Sequence, residues 1–182
     1  MVAPSPETIL LVDGYNVIGA WPKLQKAQRH YGLEMARQDL IEVLASYAAF
    51  HGCQTKIVFD AQYQTRIATQ DIVTEQLEVH FTDSGQTADT YIEIFCAQSR
   101  HQLTAFKRII VATSDRDQKN TVKGYGAEWM SANQLIQDIR STTSRIRDRT
   151  LRNPQSQRKL LSSVIDPIAK QKLERLRFGL DP

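Results

Sequence analysis

Short apolar runs along the chain alternate with longer segments in which apolar residues recur at helical spacing. Three runs rich in β-branched residues predict buried strands at Ile9–Val12, Lys56–Asp60 and Arg108–Thr113. Weaker strand patterns lie at Leu77–Thr82 and Glu128–Met130. Strands separated in this way by helical segments predict an α/β fold, with a central, mainly parallel sheet flanked by helices.

The helical segments are bounded by residues that commonly start or stop helices. Apolar residues recur with a helical period over Leu33–Gly52, where the glycine ends the pattern. Thr87 is a suitable N-cap for a helix that extends to about His101. A further helix is expected to end near Gly124, and Ser131–Gln134 resembles a capping box that opens another.

Aspartates fall at the carboxyl ends of the three main predicted strands, at Asp13, Asp60 and Asp115. Ligands of open α/β sheets bind at that edge, so these side chains are expected to converge. Clustered carboxylates repel one another unless a cation neutralises them, and oxygen ligands favour Mg²⁺ or Mn²⁺ over zinc. Such ions activate water for phosphodiester hydrolysis without a histidine base. The simpler interpretation is that each aspartate caps a turn or helix.

A second group of polar residues lies close to these strand ends. Asp89 and Glu93 are four residues apart, on one face of the helix that Thr87 opens. Their shared face indicates a joint role, although acids in a first turn also suit the helix dipole. Asn16, three residues after Asp13, is a candidate for ordering that turn or positioning a ligand water. Ser114, next to Asp115, is a candidate for capping the following helix or binding substrate.

Charge is distributed unevenly along the chain, whose net charge is +3. Residues 1–140 carry 13 lysines and arginines against 16 acids, whereas residues 141–182 carry 10 against 4. We therefore expect an N-terminal tail over 1–8, a folded domain over 9–140, and a basic, partly helical extension over 141–182. The extension is a candidate polyanion-binding segment, with a solvated helix as the alternative. Its candidate phosphate contacts are Arg145, Arg147, Arg149, Arg152, Arg158 and Lys159.

Other basic residues are candidates for holding substrate, although an ordinary solvated surface explains each of them equally well. They are Lys23, Arg29, Arg37, Arg66, Lys119 and Lys123. Cys53 and Cys96 stand alone in apolar or helical contexts, which is typical of reduced thiols in a cytosolic protein. No signal-peptide pattern and no apolar run of about 20 residues occurs, so no membrane partner is expected.

Four blocks of sequence resemble the YacP-like NYN domain family, in the family's order and over roughly residues 9–140. They are Leu10–Pro22 (LLVDGYNVIGAWP), Val58–Ala61 (VFDA), Thr87–Glu93 (TADTYIE) and Val111–Asp115 (VATSD). The opening block is the most specific of the four, because the shorter blocks recur in unrelated proteins. NYN domains resemble PIN domains, and the resemblance implies a PIN-like three-layer fold.

The resemblance also implies a Mg²⁺- or Mn²⁺-dependent endoribonuclease whose partner is RNA, with an mRNA or another cellular RNA as substrate and the ribosome as a candidate partner. Asp13, Asp89 and Asp115 fall on the family's acidic metal positions, and Asn16 falls on the asparagine after the first aspartate. Two more acids match positions typical of this subgroup: Asp60 and Glu93.

Several other classes of protein are disfavoured by what the sequence lacks. A HAD-type phosphatase needs a second carboxylate two positions after the first aspartate, and Tyr15 stands there. Dinucleotide binding and Walker-type hydrolysis lack their glycine-rich loops. The remaining rival is a non-catalytic RNA- or ribosome-binding module that keeps the PIN-like fold.

Overall fold

The computed structural model describes residues 8–60, 70–101 and 108–152. In these residues six strands form one sheet in the order β3-β4-β2-β1-β5-β6. Every pairing is parallel except that of β3 with β4. The strands are β1 (Thr8–Asp13), β2 (Gln54–Phe59), β3 (Gln70–Thr74), β4 (Leu77–Phe81), β5 (Arg108–Ala112) and β6 (Glu128–Met130).

Helices precede or follow most of the strands, as expected for parallel crossovers. None of the helices in the described ranges is long and apolar enough to cross a lipid bilayer. They are α1 (Gly14–Ala20), α2 (Pro22–Tyr31), α3 (Leu33–His51), α4 (Ala88–His101), α5 (Arg116–Gly124) and α6 (Ala132–Arg152).

Side chains of the central strands alternate between two apolar layers. On one face Leu10 and Val12 pack with residues of α1, α2, α3 and the first turns of α6. On the other face Ile9 and Leu11 pack with residues of α4 and α5. Because side chains alternate along a strand, Asp13 continues the row of Ile9 and Leu11 and lies on the face covered by α4 and α5.

The expected α/β fold with a mainly parallel sheet is confirmed, and so are the five predicted strands. The predicted capping box is also present, since Ser131 Oγ accepts from the Gln134 amide at 3.1 Å. β3 and the two helices α1 and α2 were not predicted from the sequence. Asp13 is followed directly by a helix, where only a turn was expected.

The C-terminal boundary predicted at residue 140 falls inside a continuous helix. The main compact body ends at Thr142, and residues 143–152 carry α6 onward to Arg152. The expected tail over residues 1–8, apart from residue 8, lies outside the described residues, as does the expected helix over residues 156–178. The same is true of Arg66, Arg158 and Lys159.

Candidate metal centre

Four aspartates meet at the carboxyl edge of the sheet. Asp13 ends β1, Asp60 follows β2, Asp115 precedes α5, and Asp89 lies in the first turn of α4. Their charges act on one another, because Asp89, Asp60 and Asp115 each raise the pKa of Asp13. The convergence predicted from the strand ends is therefore present in the fold.

Asp13 is the most deeply buried of these acids, with 9% of its surface exposed. Burial raises its pKa from 3.8 to about 7, opposed by the backbone N–H of Asn16 and reinforced by the three neighbouring aspartates. Near neutral pH the cluster therefore resists carrying its full negative charge. A cation at this edge would favour the ionised form of Asp13.

Asp89 is the acid whose surroundings most clearly indicate a ligand position. Burial, the charges of Asp115 and Asp60, and then that of Glu93 raise its pKa, and the Gln118 side chain acts in the opposite direction. Its Oδ1 is buried and has no hydrogen-bond partner in the part of the chain that the structure describes. Buried carboxylate oxygens are normally hydrogen-bonded or coordinated, so this atom indicates a ligand position.

The simpler interpretation of the strand-end acids also holds, because each one caps a helix. Asp13 Oδ1 accepts from the Asn16 amide at 3.0 Å, and Asp60 Oδ1 accepts from the Ala88 amide. Asp115 Oδ1 accepts from two amides in the first turn of α5, at 2.7 and 3.0 Å. Three helix N-termini therefore point at the acidic cluster, and their dipoles offset part of its repulsion.

Asn16 connects two of the strand ends that carry these acids. Its Oδ1 accepts from the Ser114 amide at 2.8 Å, which ties the start of α1 to the segment after β5.

Gly14 has a different local role, since a Cβ there would lie 2.2 Å from a ring carbon of Phe59. The glycine after Asp13 is therefore required by space, and the turn chemistry considered from sequence does not explain it.

A basic and aromatic patch lies next to the end of β5. The Lys119 ammonium stands 4.1 Å from the centre of the Trp129 ring, and that of Lys123 stands 5.8 Å from it. Trp129 is held in place because its Nε1 donates to the Thr113 carbonyl at 2.9 Å. Lys119 and Lys123, both predicted to contact substrate, therefore lie over the same ring. That ring is hydrogen-bonded to Thr113, the residue before Ser114.

The other predicted substrate contacts belong to different helices. Lys23 is exposed on α2, and the exposed Arg145, Arg147 and Arg149 lie on the last turns of α6. Arg37 was a candidate substrate contact or an ordinary surface residue, but it does not lie on the surface, because only 6% of its surface is exposed. Arg37 is an ion-pair partner of Glu34 and packs over Phe81, so its charge is used inside the domain.

The converging acids do not form a ready-made chelate. Within residues 8–60, 70–101 and 108–152, no three acidic, histidine or cysteine side chains are arranged as a complete metal site. Mg²⁺ usually takes one or two protein carboxylates and keeps several waters, so such a cage is not required. The oxygen-only donors and the unpaired Asp89 Oδ1 fit a hydrated hard cation.

Two residues of this region, Gln118 and Trp129, were not among the sites predicted from the sequence. Gln118 is 2% exposed, and both polar atoms of its side chain lack partners among the described residues. A glutamine within a polar stretch of sequence gives no indication that its side chain is buried. Trp129 belonged to a predicted strand, but a short strand pattern does not show which basic residues lie over its ring.

Comparisons with known proteins agree with this fold. The chain is 37% identical over 141 residues to the "Uncharacterized protein YacP" of Bacillus subtilis (strain 168), which is 78% of this chain and 80% of that protein. The crystal structure of Rae1 (YacP) from Bacillus subtilis superimposes with a TM-score of 0.67 at 33% identity, covering 94% of this chain and 95% of that one. Its tryptophan-to-leucine mutant gives 0.65 at 34% identity, covering 94% and 96%.

The family model for the YacP-like NYN domain matches residues 10–178. The match extends well past residue 140, where the resemblance noted in the sequence ended. The NYN domain is a member of the PIN-like nuclease superfamily, which was the class expected from the four sequence blocks. The chain belongs to the YacP-like NYN domain family.

Proposed function

We propose that the protein is a Mg²⁺- or Mn²⁺-dependent endoribonuclease that hydrolyses RNA phosphodiester bonds at the edge formed by its four aspartates. One observation carries the proposal: acids from three separate strand ends and from α4 converge, and one of their buried oxygens, Asp89 Oδ1, has no partner among the described residues. The capping roles explain three of these acids, but adding Asp89 to them is unfavourable for stability alone, because like charges at close range repel.

Asp13, Asp89 and Asp115 are the residues proposed to hold the cation. When bound, a divalent ion supplies charge stabilisation for the phosphoryl group and a more acidic water. Asp115 uses Oδ1 to cap α5, so its second oxygen is the one proposed for the cation. Asp60 and Glu93 add negative charge next to Asp89, which favours cation capture.

The remaining polar residues orient these ligands. Asn16 fixes the turn after Asp13 through its amide and reaches the Ser114 amide through its side chain. No residue of the chain is assigned as a proton-abstracting base. Asp13 is proposed as a ligand, since a carboxylate that binds a cation is a weak base.

RNA is proposed as the substrate because the family belongs to a nuclease superfamily and because the Lys119–Trp129–Lys123 patch lies beside the acids. Arg145, Arg147 and Arg149 are proposed as further phosphate contacts on the C-terminal segment. Ribosome-bound mRNA is a candidate form of the substrate. The two buried, unpaired cysteines fit the reducing cytoplasm, where we propose that the protein acts.

A non-catalytic RNA- or ribosome-binding module is the competing function. It is favoured by the capping roles of Asp13, Asp60 and Asp115, since these alone give the fold a use for three of the acids. It gives no use for the unpaired Oδ1 of Asp89. The two functions differ in whether the backbone of a bound RNA is cut.

The deciding experiment uses the purified full-length chain with end-labelled single-stranded RNA, structured RNA and ribosome-bound mRNA. We expect internal cleavage with Mg²⁺ or Mn²⁺, its loss in EDTA, and its return when the metal is added in excess. RNA that is bound but left intact in all three forms, with either metal, would contradict the proposal and support the binding module.

Replacing Lys119 and Lys123 by glutamine should weaken RNA binding and make it less dependent on salt. Each lost phosphate contact on single-stranded RNA lowers the log–log salt slope by about 0.7, so the double variant should lose about 1.4. Filter binding in EDTA across a salt series measures the slope without cleavage. Lys26→Gln, an exposed lysine on α2, is the control. An unchanged slope in the double variant would remove the patch from the interface.

The same measurement tests the C-terminal segment. Replacing Arg145, Arg147 and Arg149 by glutamine should lower the slope by about 2 if each arginine contacts a phosphate. A slope equal to that of the parent protein would assign these arginines to a solvated helix face.

A further inference from the structure

Gln118 combines two properties that rarely occur together in a folded protein. It is 2% exposed, and neither Nε2 nor Oε1 has a hydrogen-bond partner in the described residues. A buried carboxamide that makes no hydrogen bond destabilises the native state, and an apolar side chain of the same size would avoid that loss. A position that keeps glutamine under these conditions needs another explanation.

The neighbours of Gln118 make the apolar alternative more plausible on packing grounds alone. Val122, one turn further along α5, is fully buried in the apolar layer beneath α4 and α5. Gln118 shares that stripe of the helix, because residues four apart lie on the same face. Its backbone N–H donates to Asp115 Oδ1 at 3.0 Å, which places the residue in the turn that Asp115 caps.

The Gln118 side chain lies beside the Asp89 carboxylate and lowers its pKa, although no hydrogen bond of normal geometry joins them. Asp89 Oδ1 is itself buried and without a partner among the described residues. An amide donor and a carboxylate acceptor therefore lie next to each other, each unsatisfied.

We propose that Gln118 is a positioning residue for the divalent cation: its Nε2 would hold the Asp89 carboxylate in the orientation that binds the ion, and its Oε1 would be available to a water molecule. This role rests on the proposed metal-dependent function. It adds Gln118, which is not an acid, to the residues that serve the cation. Outer residues that orient metal ligands commonly change metal affinity 10- to 100-fold when they are lost.

This role predicts opposite effects on stability and on metal binding when Gln118 is replaced by methionine. The metal-free protein should melt about 3 °C higher, because a buried carboxamide without partners is replaced by an apolar side chain of similar length. Binding of Mn²⁺ should weaken by about 10- to 100-fold, because Asp89 loses its donor. A residue that served only packing would not give these opposite signs.

The test is a calorimetric titration of the full-length chain with Mn²⁺, paired with thermal melts in EDTA. The variants are Gln118→Met and Gln118→Glu, and the control is Asn120→Met, an exposed carboxamide on the same helix. Gln118→Glu keeps the side-chain shape but cannot donate when ionised, so it should melt lower than the parent protein at pH 8. It also provides a variant with the native packing volume if the methionine variant does not fold.

Two results would overturn the inference in different ways. If the parent protein binds Mn²⁺ and Gln118→Met binds it equally well, Gln118 does not position Asp89 and the proposed function is unaffected. If the parent protein binds no Mn²⁺ at all, the metal centre itself is wrong and the role of Gln118 fails with it. Weaker Mn²⁺ binding in the control Asn120→Met variant would also count against a specific role.

Discussion

Replacing Asp89 with asparagine should lower metal-dependent RNA cleavage on the order of 1,000-fold while leaving the protein folded. Asparagine has nearly the same shape but no charge, so it removes a proposed cation ligand from the site. Metal-based charge stabilisation is typically worth several kcal/mol in the transition state, and each 1.4 kcal/mol corresponds to a tenfold change in rate. Single-turnover cleavage of end-labelled RNA in Mg²⁺ measures the effect directly.

The stability of this variant separates loss of catalysis from loss of structure. Asp89 lies in a buried and mutually repelling cluster, so removal of its charge should leave the metal-free protein at least as stable as the parent. Asp138→Asn, an exposed aspartate on α6, is the matched control and should cleave normally. Cleavage by Asp89→Asn at the parent rate would show that Asp89 is not a ligand.

The metal-free protein should become less stable as the pH rises from 5 to 8. The pKa of Asp13 is 3.8 when unfolded and about 7 when folded, so the folded state binds more protons between these values. Stability is therefore highest below the lower value and is lost as the pH rises through the upper one. By proton linkage the loss from this residue is roughly 3 kcal/mol between pH 5 and pH 8.

Denaturant unfolding in EDTA at several pH values measures this dependence, and Asp13→Asn isolates the contribution of one residue. Asparagine is also a good N-cap, so the variant should keep α1 while losing most of the pH dependence. It should be more stable than the parent protein at pH 8, and the difference should shrink as the pH falls towards 4. Added Mg²⁺ should stabilise the parent protein more at pH 8 than at pH 5. A variant that keeps the parent's pH profile would assign the dependence to other groups.

The strand ends could be predicted because their signal is local. The runs before Asp13, Asp60 and Asp115 are apolar and β-branched, and each ends at a charged residue. The topology of parallel sheets then brings the ends together without any knowledge of the helices. The position of Asp89 followed in the same way, from a cap and a helical period.

The missed elements lacked such local signals. In α1 only Gly14, Val17 and Ile18 are buried, which is too short a pattern to separate a helix from a turn. β3 is a short antiparallel strand that includes the exposed Ile72 and Val73, so its apolar residues gave no buried face to detect.

The burial of Arg37 and Gln118 was missed for a different reason. Both are polar residues whose burial depends on tertiary neighbours: the aromatic ring of Phe81 in one case and Asp89 in the other. Residue type alone predicts exposure for both, and exposure is correct for most arginines and glutamines. The burial of these two side chains therefore could not be predicted from the usual exposure of arginine and glutamine.

The capping roles of the strand-end aspartates bear on how relatives of this protein should be judged. Under the proposed nuclease function, a descendant that no longer cut RNA would still need Asp13, Asp60 and Asp115 to begin three helices, so selection for folding alone would retain them. Asp89 Oδ1 has no such capping role, and without a cation the buried, unsatisfied side chain of Gln118 lowers the stability of the fold. Drift at this pair, with the other three acids intact, would be the earliest mark of a lineage that has become a binding protein.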